Sequence, residues 1–194
     1  MYKYIKRLLD IVFAIALLPM LALLTIVLGT LIYAEDRGPV FYKSPRIGRN
    51  GRRIEMLKFR SMKVGAPDWR NEDGSTYNSR NDQRVTKIGK IIRETSLDET
   101  PQLLNILVGE MSFIGPRAST WDVIDTYKPD EIDKLKVRPG VTGYSQAYYR
   151  NEASAREKRL RDAWYANHQS FFLDLKILLK TIQTVFLRKN IYTN

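Results

Sequence analysis

The sequence has no cysteine and one histidine, His168. Without cysteine there is no disulfide framework, no zinc–thiolate site and no thiol nucleophile. With one histidine, multi-histidine metal sites are excluded, and Ser-His-Asp catalysis would have to run through His168. Acidic residues are few beside basic ones: 21 Asp+Glu against 32 Lys+Arg, a net charge of +11. That excess calls for an anionic partner, whether lipid headgroups, nucleic acid or a phosphorylated substrate. Any enzymatic chemistry falls mainly to carboxylates and basic residues. The 194 residues are enough for one domain with its own core plus an anchoring segment, and no internal repeat is visible.

Charge is missing altogether from Ile11 to Ala34, 24 positions in a row. As an unbroken helix this run would extend about 36 Å, enough to cross a hydrocarbon core of about 30 Å. A cleaved signal peptide is the weaker alternative, because the run is long for such a segment and Tyr33-Ala34-Glu35 is a poor cleavage site. Basic residues flank both ends: Lys3, Lys6 and Arg7 before the run, then Arg37, Lys43, Arg46, Arg49, Arg52 and Arg53 after it. By the positive-inside rule both ends belong on the cytoplasmic side. Pro19 lies inside the run and removes a backbone hydrogen bond there. A re-entrant helix that breaks at Pro19 meets both observations, and a proline-kinked span is the competing arrangement.

Beyond Gly38-Pro39, Val40–Tyr42 and Ile54–Phe59 read as strands joined across the tight-turn signal Asn50-Gly51. Residues 66–84 are polar and aperiodic, the pattern of a functional or mobile loop. Trp121–Tyr127 reads as a short helix, with another starting at Pro129-Asp130-Glu131, and Val137–Gly143 is rich in turn residues. Glu152–Asn167 reads as a charged helix with Leu160, Ala163 and Trp164 on one face. Phe171–Leu187 is apolar with a sparse polar side, suited either to the membrane interface or to the core.

The centre of the chain is 93–117. Asp98 and Glu99 are adjacent carboxylates placed just ahead of the apolar run Leu103, Leu104, Ile106 and Leu107, with Arg93 before them and Arg117 after. Paired acids beside arginines suit metal-assisted transfer of a phosphate group. Ser96-Leu97-Asp98-Glu99 also has the spacing of a helix capping box. Pro101 argues for a start one turn later, with Thr100 as the cap and Pro101 at the first helical position. In that arrangement the two acids lie outside the helix at its positive end, which keeps them ionised.

Seven blocks taken together are more specific than any one of them. A basic-flanked apolar segment with an internal proline comes first, then Asp36-Arg37-Gly38-Pro39-Val40-Phe41 and Lys58-Phe59-Arg60-Ser61-Met62. Ser96-Leu97-Asp98-Glu99-Thr100-Pro101-Gln102 and Gly109-Glu110-Met111-Ser112-Phe113-Ile114-Gly115-Pro116-Arg117 follow. Val137-Arg138-Pro139-Gly140-Val141-Thr142-Gly143 and Phe172-Leu173-Asp174-Leu175-Lys176-Ile177 complete the order. Over nearly its whole length the chain resembles the small monotopic polyprenyl-phosphate phosphoglycosyl transferases, the bacterial sugar transferases. It departs from the family's usual pattern in having Leu18-Pro19 for Ser-Pro at the helix break, and Pro116-Arg117-Ala118 for Pro-Arg-Pro.

The resemblance implies an α+β fold, mainly α, with an N-terminal re-entrant membrane helix, a small β-hairpin and interfacial amphipathic helices. Residues 1–37 would anchor a catalytic domain, 38–194, on the cytoplasmic face of the bacterial inner membrane. Asp98 would attack a UDP-sugar, release UMP and carry a phosphosugar that polyprenyl (undecaprenyl) phosphate then accepts, which starts exopolysaccharide or other glycan assembly. Glu99 would bind Mg²⁺, and Arg93, Arg117, Arg138 and Lys58 would hold substrate phosphates. The implied partners are a UDP-sugar, polyprenyl phosphate and membrane lipid, with a homo-oligomer allowed and nucleic acid not expected. The opposing alternatives are a membrane-anchored basic protein that binds an anionic polymer, with Asp98-Glu99 as a helix cap, and a non-catalytic assembly partner of glycan enzymes.

Overall fold

The computed structural model describes residues 1–69, 77, 79, 81–149 and 153–186, with side chains described as far as residue 184. The chain is mainly helical with two very small sheets. Helix α1 (Tyr2–Asp36) opens it and continues through Pro19. Leu and Ala favour the helix along this stretch. Pro19 leaves the Ile15 carbonyl without its usual N–H partner. One stripe of α1, including Ala14, Leu21, Leu28 and Ile32, is buried at heptad-like spacing against the domain. The remaining faces are apolar and exposed, with Leu8, Phe13, Leu23, Ile26 and Leu31 among them. Among the described residues α1 is the helix long and apolar enough to cross a membrane.

Both ends of α1 are tied to the domain. Near its start, Arg7 donates to the Ile106 and Leu107 carbonyls, and Asp10 accepts from the Ser112 hydroxyl and the Phe113 N–H. Tyr2 and Lys6 both donate to the buried Asp174 carboxylate, which also accepts from Tyr165. At its far end, Glu35 accepts from the Lys87 and Ile88 N–H groups. Asp36 takes both Nη groups of Arg60, a two-pronged pair. Gly38 follows at a point where a Cβ would sit 2.5 Å from Val64 and 2.8 Å from Arg60.

The hairpin pairs β1 (Phe41–Ile47) with β2 (Arg53–Phe59) in antiparallel register, Phe41 opposite Phe59 and Ile47 opposite Arg53. Asn50 and Gly51 carry the turn with φ of 57° and 72°, as the Asn-Gly signal predicts. β1 runs on past the expected Tyr42 and includes Pro45, which an edge strand tolerates. Helix α2 (Lys87–Glu94) starts with Thr86 capping the Gly89 N–H, and α3 (Gln102–Val108) packs on β2. Asn105 of α3 accepts from the Leu57 N–H and donates to the Glu55 carbonyl, so its amide pairs with β2 as a strand neighbour would.

A short parallel pair that the local pattern does not announce, β3 (Ser112–Ile114) with β4 (Gly140–Thr142), joins two of the motif blocks. Gly115 and Gly140 back onto each other here: a Cβ on Gly140 would lie 2.1 Å from the Gly115 nitrogen, and one on Gly115 would lie 2.4 Å from the Arg138 carbonyl oxygen. At these two positions a side chain would run into the facing backbone.

Helix α4 (Tyr144–Tyr148) precedes α5 (Ala155–Asn167), which opens on a complete capping box, Ser154 with Glu157. Residue 152, the expected start of α5, lies outside the described residues. Ala163 is buried in α5 as expected, but the other large inward side chain is Tyr165, and Trp164 is 45% exposed and stacks on His168. α6 (Phe171–Phe186) divides cleanly: Asp174 and Ile177 face inward, whereas Phe172, Leu175, Leu179 and Ile182 are exposed. Its expected end, Leu187, lies outside the described residues.

The Tyr2–Lys6–Asp174–Tyr165 cluster yields the first prediction. Asp174→Ala strands a Lys6 ammonium whose side chain is 11% exposed. Such a change is expected to destabilise the protein by about 3–5 kcal/mol. Denaturation in lipid nanodiscs measures it, and an unchanged midpoint would show that this cluster does not hold α1 to α6.

Candidate active site

Asp98 and Glu99 lie in a 3₁₀ turn, Leu97–Glu99, between α2 and α3. Ser96 enters it in the left-handed conformation, φ 58°, and its hydroxyl makes no cap hydrogen bond. The capping-box reading therefore fails, and the helix-cap role required by the binding-protein alternative fails with it. Helix α3 begins at Gln102, one residue later than a Thr100 cap would give, with Pro101 at the cap position. The acids do lie outside the helix.

Lys58 reaches them from the end of β2. It shares alternation with the buried Ile54 and Met56, so it projects from the same side of the strand as they do. Its Nζ is 2.7 Å from Glu99 Oε1 and 3.9 Å from Asp98 Oδ2. Arg117 Nη2 approaches Glu99 Oε1 at 3.5 Å, with its side chain 53% exposed. Arg93 donates from Nε to the Ser61 hydroxyl at 2.8 Å and adds positive potential at Asp98. Asp98 itself is buried.

The two carboxyls are driven in opposite directions. Burial alone raises Glu99, but the Lys58 ammonium and then the Arg117 guanidinium outweigh it and hold the group at about 2. Burial pushes Asp98 up, Lys58 pulls it back, and the Glu99 charge pushes it up again. The result is one firmly ionised acid that holds cations beside a second, more basic carboxylate. The expectation that a helix terminus keeps both acids ionised gives way to these side-chain contacts.

Arg138 stands apart from this group. Its Nε donates to the Gly109 carbonyl at 2.8 Å, at the C-terminal end of α3, and Arg7, Arg49 and Asp10 are its charged surroundings. Pro19 is in α1. The sequence reading did not single out Asn105, which seats α3 on β2, or the role of Ser61 as an anchor for Arg93. Asn105 is a polar residue within an apolar helical run, and that is the one local signal it offers. His168 is exposed at the end of α5, with Nδ1 against the Trp164 carbonyl. It is not part of this site.

Among the described residues no three Asp, Glu, His or Cys come together as a metal cage. Asp98 and Glu99 are hard oxygen donors, which suits a cation that completes its shell with phosphate oxygens and water.

A buried carboxylate among cations, on a domain that carries one long apolar helix, has the chemical make-up suited to transfer of a phosphate group. Sequence comparison supplies the family. The bacterial sugar transferase family matches residues 1–188, and the chain belongs to it. It is 37% identical to the uncharacterized sugar transferase EpsL of Bacillus subtilis (strain 168), over 96% of this chain and 90% of that protein. It is 38% identical to the exopolysaccharide production protein ExoY of Rhizobium meliloti (strain 1021), covering 96% and 88% respectively. Against the UDP-glucose:undecaprenyl-phosphate glucose-1-phosphate transferase of Klebsiella pneumoniae identity is 36%, over 96% of this chain but 41% of that longer protein. It spans a similar minor share, 36% and 42%, of relatives from Haemophilus influenzae and Erwinia amylovora.

The depressed Glu99 value predicts a pH-dependent stability difference. Its contribution is present above the ordinary carboxyl value of 4.5 and is lost as pH falls through about 2. Wild type should exceed Glu99→Gln by roughly 3 kcal/mol at pH 7, and the gap should shrink at pH 3. Parallel denaturation curves at the two pH values check this, and a gap that does not change with pH would refute the ionic account.

Proposed function

We propose that this protein transfers a phosphosugar from a UDP-sugar to a polyprenyl phosphate through a covalent intermediate on Asp98. The observation that carries this reading is the buried Asp98 carboxylate, more basic than an ordinary one and held beside Lys58 and the ionised Glu99. A carboxylate oxygen attacks the sugar-linked phosphorus, the phosphoanhydride bond breaks, and UMP leaves with the electron pair. A polyprenyl phosphate oxygen then attacks the same phosphorus. The bond to Asp98 breaks, giving a polyprenyl diphosphate sugar and the original carboxylate. Phosphoryl transfer depends mainly on positioning and charge neutralisation, which falls to Lys58, Arg93 and Arg117. Mg²⁺ held through Glu99, with Asp98 nearby, would neutralise the diphosphate. Names among the relatives, such as UDP-galactose-lipid carrier transferase and undecaprenyl-phosphate galactose phosphotransferase, support both substrate classes.

The attachment of both ends of α1 to one domain body supports a re-entrant helix that enters and leaves the membrane on the cytoplasmic side. The exposed apolar face of α6 suits the membrane interface. In this arrangement 38–194 sits on the cytoplasmic face of the inner membrane, level with the acceptor phosphate.

Intact-protein mass spectrometry tests the chemistry. With Mg²⁺ and UDP-glucose, UDP-galactose or UDP-N-acetylgalactosamine, and no lipid acceptor, one donor should add the mass of a sugar phosphate. EDTA present from the start should prevent the adduct, and Asp98→Asn should abolish it and lower turnover at least about 10³-fold. Turnover in Asp98→Asn at the wild-type rate would remove the covalent assignment.

The pH profile gives an independent test. Asp98 must be ionised to attack, so activity is expected to fall as pH drops through its raised pKa, above the usual value of about 3.9. Lys58→Met removes the strongest influence pulling that pKa down. The acid limb of kcat/KM should then move to higher pH, and a limb that stays in place would exclude Asp98 as the titrating group.

A further inference from the structure

Arg117 is loosely held compared with Lys58. Its side chain is 53% exposed, and it stands 3.5 Å from Glu99 Oε1 where Lys58 stands at 2.7 Å. How far its guanidinium reaches therefore depends on how its backbone is held. Pro116 before it is buried, and the Pro116 carbonyl accepts from the Gly140 N–H. Ala118 follows it, and without a proline there the chain itself does not restrict the conformation at Arg117. A tertiary contact has to set it.

That contact is a buried lysine. Lys134, in the 3₁₀ turn Ile132–Lys136, is 4% exposed. Its Nζ donates to the Arg117 carbonyl at 3.1 Å and to the Ser119 hydroxyl at 3.3 Å, and lies 3.4 Å from Oδ2 of the buried Asp162 of α5. An ammonium has three N–H groups, and three oxygens surround this one. Ser119 is fixed in turn, its hydroxyl accepting from Tyr127 and its carbonyl from the Ile47 N–H. Burial pushes the Asp162 pKa up, and the Lys134 ammonium, Ser145 and the Arg117 N–H pull it back.

Holding this turn to α5 does not require the Lys134–Asp162 pair. Glu131, buried just ahead of the turn, already pairs with Arg156 and Arg159 of α5 at 2.9 and 3.2 Å. A buried ion pair also gains little stability over apolar residues of similar volume. What Lys134 supplies, and an apolar residue would not, is a charged donor on the Arg117 carbonyl. We propose that Lys134 is a positioning residue: seated on Asp162, it fixes the Arg117 backbone so that the guanidinium meets Glu99 and the reacting phosphates. This rests on the phosphosugar-transfer reading above.

The test follows UMP release by the full chain in nanodiscs, with the UDP-sugar that forms the adduct. Lys134→Met with Asp162→Leu removes both charges together, so neither is left buried alone. Its kcat/KM should fall at least about tenfold, and Lys134→Arg, which keeps the charge and the donors, should recover most of that loss. The deciding comparison is made on Arg117→Ala, where the paired change should cost no more than about twofold because the guanidinium it positions is gone. Asp162→Asn, a milder change of similar shape, should give a smaller loss that also vanishes on Arg117→Ala. A merely architectural pair would cost the same factor with and without Arg117. That result, or wild-type kcat/KM in the paired variant, would overturn the positioning role and leave the transfer reading intact. Hydrogen exchange needs no substrate: the 115–119 amides should exchange faster in the paired variant while those of α3 do not change, and unaltered exchange at 115–119 would also overturn the role. If wild type releases UMP from no UDP-sugar, the transfer reading falls and the catalytic role of Lys134 falls with it.

Discussion

Lys58 and Glu99, 2.7 Å apart, form the contact on which the rest of the site depends. Two neighbouring carboxylates in a buried turn repel each other and lose hydration, so without a cation at least one would take up a proton. Lys58 settles which one. It keeps Glu99 ionised and lies farther from Asp98, 3.9 Å away, where burial and the Glu99 charge keep the second carboxylate basic. Two identical functional groups thereby acquire different roles from their surroundings. The position of Lys58 depends in turn on Asn105, whose amide binds the backbone of β2 on either side of Met56 and fixes the distance from that strand to the start of α3.

The long apolar helix α1 follows a related logic. A helix that is apolar on every face has no preferred side from hydrophobicity alone. Its orientation comes from a few charged groups near its ends, each placed where the domain has an unsatisfied partner. Arg7 meets the last carbonyls of α3, and Glu35 meets the first N–H groups of α2. These are the helix termini where opposite charge is favoured. Asp174 of α6 gathers Tyr2 and Lys6 from α1 and Tyr165 from α5. The Asp98–Glu99 turn, between α2 and α3, is thereby linked to α1 at both of its flanking helices.

Much of this organisation was legible from residue order, and the failures are instructive. Ser-x-x-Glu occurs twice. At Ser154–Glu157 it is a true capping box. At Ser96–Glu99 it is not, because Ser96 adopts φ 58° and Lys58 claims the glutamate. The local pattern is the same, and a lysine 41 residues away decides between the outcomes. Trp164 looked like a core residue by periodicity, yet Tyr165 fills the interior because its hydroxyl finds Asp174. The β3–β4 pair was hidden because each strand spans only three residues and is joined to its partner through glycines, whose short-range signal is a turn. Arg117 and Arg138 both flank glycine-proline motifs, but only Arg117 approaches the carboxylates.

Residue order by itself determined the apolar anchor with basic flanks, the Asn-Gly hairpin, the adjacent acids ahead of α3 and the family. Each of these is written in neighbouring residues, within the reach of helix period, turn chemistry or a contiguous motif. The tertiary structure decided which acid stays charged, which arginine joins it, and that α1 is tied to the domain at both ends. Those outcomes depend on burial and on charges many residues apart in the chain, and electrostatic energy depends on distance in space and on desolvation rather than on separation along the sequence.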